Sequence, residues 1–183
     1  MNGFLVLILF FYLGAYLLNS IADLLNVKNI KTNIPSEFED IYDKEAYEKS
    51  QRYLKENTIF SFIHETLMVL LTVIFIVAGG FNYFDLYVRS FGFGPYISGL
   101  CFIGLLIVVT QIIEMPFSLY STFIIEKKYG FNKTTIKTFI MDRIKSWILG
   151  TIIGSLILLG ILWIFTALQS TAWLIAWLFL SVV

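Results

Sequence analysis

Apolar residues fall in long unbroken runs, and polar ones gather between them. Four runs are long enough to cross a bilayer: about residues 3–21, 59–80, 96–117 and 147–168. A fifth, residues 171–183, follows a short polar break at Gln169, Ser170 and Thr171. At a helical rise of ~1.5 Å per residue that last run reaches only about 20 Å, against a hydrocarbon core of ~30 Å. In lipid every backbone amide needs an internal partner, so the runs are predicted to be helices. The expected fold class is therefore all-α: a polytopic membrane protein with four full transmembrane helices and a partial fifth. Residues 1–183 are read as a single membrane domain whose continuation lies elsewhere.

The polar segments complete the topology. The stretch 26–58 carries Lys28, Lys31, Lys44, Lys49, Arg52 and Lys55. The stretch 118–146 carries Lys127, Lys128, Lys133, Lys137, Arg143 and Lys145. Between residues 81 and 95 only Arg89 is basic. The two basic segments alternate with spans and must share a side, which the positive-inside rule makes cytoplasmic. That places the N-terminus outside.

Both cytoplasmic segments are predicted to hold helices. The first starts at about Ser36, just after Pro35, and runs toward the second span, with Glu45–Lys49 and Glu48–Arg52 paired four apart. In the second, Gly130 after Lys127-Lys128-Tyr129 has the position of a helix C′ glycine, with Phe131 as the apolar contact beyond it. Asn132 or Thr134 is expected to cap a further helix. On that helix Ile136, Phe139, Ile140 and Ile144 share a face, so it would lie at the interface before the span entered at Trp147. Gly92-Phe93-Gly94-Pro95 reads as a turn in the external loop. Gly150 and Gly154 form a small-xxx-small step that favours close helix packing.

Composition narrows the class. Hydrophobic residues make up 58% and charged ones 14%, where soluble domains average ~25% charged. Mean hydropathy is +0.80. The formal net charge of zero leaves no basic excess for nucleic acid, and a lone cysteine, Cys101, makes no intrachain disulfide. The first run lacks a preceding base and a small-x-small cleavage site, so it reads as a retained span.

Catalytic patterns are scarce. His64-Glu65-Thr66-Leu67-Met68 begins like a zinc-protease helix, but that helix needs a second imidazole at i+4 and position 68 is Met. No Gly-x-Ser-x-Gly elbow occurs. Glu114, one turn after Gln111 and beside Pro116, is a carboxylate close to hydrocarbon. Either it faces a polar cavity or it has reached the far interface. A small transporter built on Gln111 and Glu114 would show repeats or broken helices, and none is visible.

Three stretches carry a resemblance: residues 34–53, residues 116–134 and Asp142-Arg143-Ile144-Lys145. The most specific part is Tyr120-x-Thr122-Phe123-x-Ile125-Glu126-x-x-x-Gly130-Phe131-Asn132. The chain resembles the N-terminal membrane domain of the CAAX prenyl protease 1 family, integral-membrane zinc metallopeptidases. The resemblance implies seven spans around an intramembrane chamber, a His-Glu-x-x-His helix after the fifth span, and a later Glu completing the zinc site. It implies that a full-length parent uses zinc and cleaves prenylated, membrane-associated or misfolded proteins. This chain stops before the His-Glu-x-x-His helix, so it is expected to be inactive alone, with no cofactor, catalytic residue or metal ligand of its own. Candidate structural or substrate-chamber positions are Glu114, Pro116, Tyr120, Phe123, Glu126, Gly130, Phe131, Asn132 and Asp142. Expected partners are the bilayer, a C-terminal metalloprotease domain, the parent's polypeptide substrate, and a second copy through the fourth and fifth spans. The alternative is a naturally short, catalytically dead scaffold or adaptor.

Overall fold

The computed structural model describes residues 3–35, 43–168 and 171–182, and every regular element among them is helical. In chain order these are α1 (Gly3–Asn29), α2 (Lys44–Val77), α3 (Gly80–Arg89), α4 (Pro95–Tyr120), α5 (Ile136–Leu168) and α6 (Ala172–Val182). A π-helical segment, Ser121–Glu126, continues α4 without a break. Four rods are long and apolar enough to cross a membrane: α1, α2, α4 with its continuation, and α5. Large side chains such as Phe4, Leu18 and Leu156 stand 76%, 71% and 65% exposed along them. That is how a surface meant for lipid looks, because acyl chains supply the apolar surroundings that a soluble protein must build from its own core.

The rods outrun the predicted spans. α2 has 34 residues, about 51 Å at the usual rise, so the polar stretch before Ile59 and the apolar stretch after it form one continuous helix. It begins at Lys44, where the Asp43 carboxylate accepts a hydrogen bond from the Ala46 amide at 2.7 Å and caps an orphan donor. The earlier start expected near Ser36 falls on 36–42, outside the described residues. α5 is likewise continuous. The interfacial helix expected before Trp147 and the span after it are one 33-residue rod. Its cap is Thr135, not Asn132 or Thr134: the Thr135 hydroxyl accepts from the Thr138 amide at 3.2 Å. The segment 81–95, read as a loop, contains α3. Glycines with positive φ sit on either side of its ordered run, Gly79 at 75° and Gly92 at 71°, a backbone shape that glycine adopts freely.

Two compact units can be distinguished, Met1–Phe81 with Glu114–Lys133, and Asn82–Ile113 with Thr134–Val183. In the first, α1 lies along α2. The pair is joined by a hydrogen bond of 2.7 Å between the Tyr16 and Thr66 hydroxyls, while Thr66 also donates to the Phe62 carbonyl. In the second, Gly99 lets α4 approach α5 closely: a Cβ added there would meet Leu162 at 3.1 Å. Nearby, Tyr96 and Thr166 join hydroxyls at 2.8 Å. α6 packs on the end of α5 through Ile164, Ala172 and Ala176. The small-residue step at Gly150 and Gly154 does not serve this contact, since nothing lies within 4 Å of where either Cβ would be.

Candidate functional site

Within the first unit, the end of the α4 rod returns to the polar part of α2, and most chemistry on the chain is gathered there. The rod closes in a Schellman turn. The Phe131 amide donates to the Glu126 carbonyl at 2.9 Å, and the Gly130 amide donates to the Lys127 carbonyl at 3.1 Å, with Gly130 at φ 77°. Two of the four carbonyls a helix end would leave bare are thereby satisfied. The predicted C′ glycine is in place. Phe131 packs on Tyr53 of α2, ring centroids 4.7 Å apart. Tyr53 also holds Tyr129, edge to face at 5.4 Å. Deeper along α2, Phe60 stacks on Tyr120 at 5.0 Å and His64 lies against Phe117 at 4.5 Å.

Glu56 pins the turn. One carboxylate oxygen, Oε2, accepts from Lys128 Nζ at 2.6 Å and from the Tyr129 hydroxyl at 2.7 Å. Glu56 precedes the apolar run that starts at Ile59, so the cluster sits on the polar side of the span. The hydrogen bond from Lys128, then that from Tyr129, hold the Glu56 carboxyl below the usual carboxylate range. The same contact raises Lys128, and raises Tyr129 with some help from burial. The signs agree. A carboxyl held low in the folded state stabilises above its unfolded value of ~4.3 and loses that contribution as the pH falls through its folded value. An ammonium and a phenol held high contribute below ~10 and lose it as the pH rises. The cluster is therefore expected to hold the turn between roughly pH 5 and pH 10. Unfolding midpoints measured from pH 7 to pH 3 should fall less steeply for Glu56→Gln than for the unaltered chain, and parallel curves would remove Glu56 from this role.

Around the pin lies an open cleft of about 660 Å³ lined by Glu45, Glu48, Lys49, Arg52, Lys55, Glu56, Ile59, Lys128 and Tyr129. Its charges nearly balance. Glu48 takes Arg52 and Glu56 takes Lys128. Among the described residues no group of three His, Cys, Asp or Glu is placed to hold a metal ion.

Of the positions singled out from the sequence, the structure brings Tyr120, Gly130 and Phe131 together with α2, and Glu126 supplies the carbonyl that closes the turn, accepting from Asn132 as well at 3.3 Å. Phe123 is half-buried on the π-helical segment. Glu114 and Gln111 are half-buried and Pro116 is exposed; the Glu114 side chain makes no hydrogen bond or ion pair with another described residue. Asp142 belongs to the second unit and pairs only loosely with Lys145, at 3.8 Å. Glu56, Tyr53, Lys128 and Tyr129 were not singled out. The available signal was Tyr53 and Glu56, one helical turn apart, facing a Lys-Tyr-Gly-Phe helix end.

A family model described as CAAX prenyl protease N-terminal, five membrane helices, matches residues 23–183. The chain belongs to this family. Among curated CAAX prenyl protease 1 homologs, that of Caenorhabditis elegans is 32% identical over 149 residues, 81% of this chain and 33% of the relative. The homolog of Mus musculus is 33% identical over 159 residues, 83% of this chain and 34% of the relative. The crystal structure of S. mikatae Ste24p overlays with a TM-score of 0.89 at 28% identity, covering all of this chain and 44% of that one. The chain thus spans about a third of the length of the curated CAAX prenyl proteases it matches. The family is described as having five membrane helices; among the described residues four are long and apolar enough to cross a membrane.

Proposed function

We propose that this chain is the non-catalytic N-terminal membrane domain of a CAAX prenyl protease 1-like zinc metalloendopeptidase, acting as a single domain that forms part of the chamber wall. The observation that carries the reading is the overlay of the whole chain on a minority portion of Ste24p. In this reading the zinc ligands and the general base come from the C-terminal portion, and the intact enzyme cleaves prenylated or membrane-associated polypeptides. The basic segments face the cytoplasm and the N-terminus lies outside. The Glu126–Asn132 turn, pinned by Glu56, fixes where the wall ends on the cytoplasmic side. Exposed apolar faces on α5 and α6, including Trp163 at 62% and Trp173 at 65%, receive helices of the rest of the enzyme or of a second copy.

A chimera tests this directly. The matched N-terminal portion of the Saccharomyces cerevisiae CAAX prenyl protease 1, which is 33% identical over 145 residues, is replaced by this chain. The chimera is expected to keep zinc and cleave a prenylated peptide, while the chain alone does neither. A chain that hydrolysed peptide by itself, or a well-folded, zinc-loaded chimera without activity, would overturn the proposal.

A further inference from the structure

α3 sits at the end of α2 opposite the polar cluster, and link lengths restrict where it can lie. The apolar part of α2, residues 59–77, is about 28 Å long at the helical rise, close to the ~30 Å hydrocarbon thickness. Ala78 and Gly79 alone join it to α3, and two residues reach at most ~7 Å. The Ala78 amide bonds back to Ile74 at 2.8 Å and that of Gly79 to Ile76 at 3.1 Å. A Cβ on Gly80 would collide with the Phe75 ring. With α2 crossing the bilayer, α3 therefore starts within the headgroup layer, which adds only ~5–8 Å on each side.

Its side chains sort by edge. Phe84 and Val88 mark one, and Val88 is 3% exposed. Asn82, Asp85 and Arg89 form a polar edge, closed by an Asp85–Arg89 ion pair at 2.7 Å. Tyr83, Leu86 and Tyr87 form a third edge and stand 69%, 58% and 58% exposed. That edge is prolonged by Phe91, edge to face on Tyr87 at 5.3 Å, and by Phe93, stacked on Phe91 at 5.7 Å. A soluble surface does not favour such an aromatic row. A membrane–water boundary does, because a tyrosine ring prefers the acyl side and its hydroxyl the wet side.

We infer that α3 is an in-plane membrane anchor: the Tyr83–Leu86–Tyr87 edge, with Phe91 and Phe93, is seated in lipid at the headgroup–acyl boundary, and the Asn82–Asp85–Arg89 edge faces water. The inference requires that α2 crosses a membrane, but not that the chain serves a protease, so the two readings fail separately.

The full chain with Cys101→Ser is reconstituted in phosphatidylcholine vesicles. A nitroxide is attached at Asn82→Cys, Tyr83→Cys, Tyr87→Cys or Arg89→Cys in turn. Collision with oxygen, which concentrates in lipid, is compared with collision with a water-soluble nickel chelate. Labels at 83 and 87 are expected about 5–10 Å deeper than those at 82 and 89. Leu86→Cys, on the same edge, replaces either tyrosine variant that fails to reconstitute. Nickel access at 83, 86 and 87 equal to that at 82 and 89 would mean a water-filled surface and overturn the inference. Shielding of 83, 86 and 87 from both probes would mean that protein covers the edge, and would overturn it as well.

Discussion

Ile125→Ala is expected to destabilise the first unit by about 2–5 kcal/mol. Ile125 is 0% exposed and is the largest fully buried side chain among the described residues. It lies on the π-helical segment that packs against α2. Removing three methyl or methylene carbons there leaves a void that rigid neighbouring helices fill poorly, so the cavity adds to the lost transfer energy. Ile124, the preceding residue, is 51% exposed, and its replacement by alanine should stay within about 0.5 kcal/mol. All four tryptophans lie in the second unit, so thermal unfolding of both variants in the same detergent, followed by amide hydrogen exchange of first-unit peptides, makes the comparison. Equal midpoints would show that the π-helical segment is not anchored through Ile125.

Gly130→Val should loosen the end of the α4 rod. Space is not the obstacle, because among the described residues the only atom near an added Cβ is Lys49 Nζ at 3.5 Å, the end of a flexible side chain. The obstacle is φ of 77°, where an L-residue costs roughly 1–2 kcal/mol and a β-branched one fits worst. Relief of that strain would break the amide bonds from Gly130 and Phe131 and pull Phe131 off Tyr53. Asparagine tolerates this region better than other side-chain-bearing residues, so Gly130→Asn should behave much more like the unaltered chain. Limited trypsin digestion reads the difference at Lys127, Lys128 and Lys133. Faster cleavage is expected for Gly130→Val, and identical rates in both variants would place the strain elsewhere.

How legible this was from the residues depended on how local the determining physics is. The long rods were legible because an apolar stretch in lipid has few alternatives to a helix. The Gly130 turn was legible for the same reason: a basic helix end, a glycine and an aromatic residue carry the Schellman geometry within six positions. The cap after it was misplaced by one residue from Thr134, since neighbouring threonines offer the same hydroxyl and only the backbone path chooses between them. α3 was missed because Asn82, Asp85 and Arg89 interrupt its apolar residues and Gly92, Gly94 and Pro95 follow closely, so the stretch resembled a loop. Its Phe81, Phe84 and Val88 spacing and the Asp85–Arg89 pair at i+4 were the available helical signals. Glu56 could not be distinguished locally from the other acids of its segment, because its partners lie more than seventy positions along the chain. Glu114 drew notice as a charge near hydrocarbon, yet the charge that organises the site is the one on the wet side of the span.

Pro116 and the widened turns at Ser121–Glu126 have a consequence for how this region tolerates change in length. A proline withholds one amide from the ladder, and i→i+5 bonding accommodates an extra residue within a helix. Excising one residue between 121 and 126 would let the ladder revert to the ordinary pitch. The shortened rod would be more regular, but every side chain beyond the excision would swing around its axis, carrying Tyr129 and Lys128 away from Glu56. The irregularity is the phase adjustment that lets the rod end with the correct residues facing its neighbour.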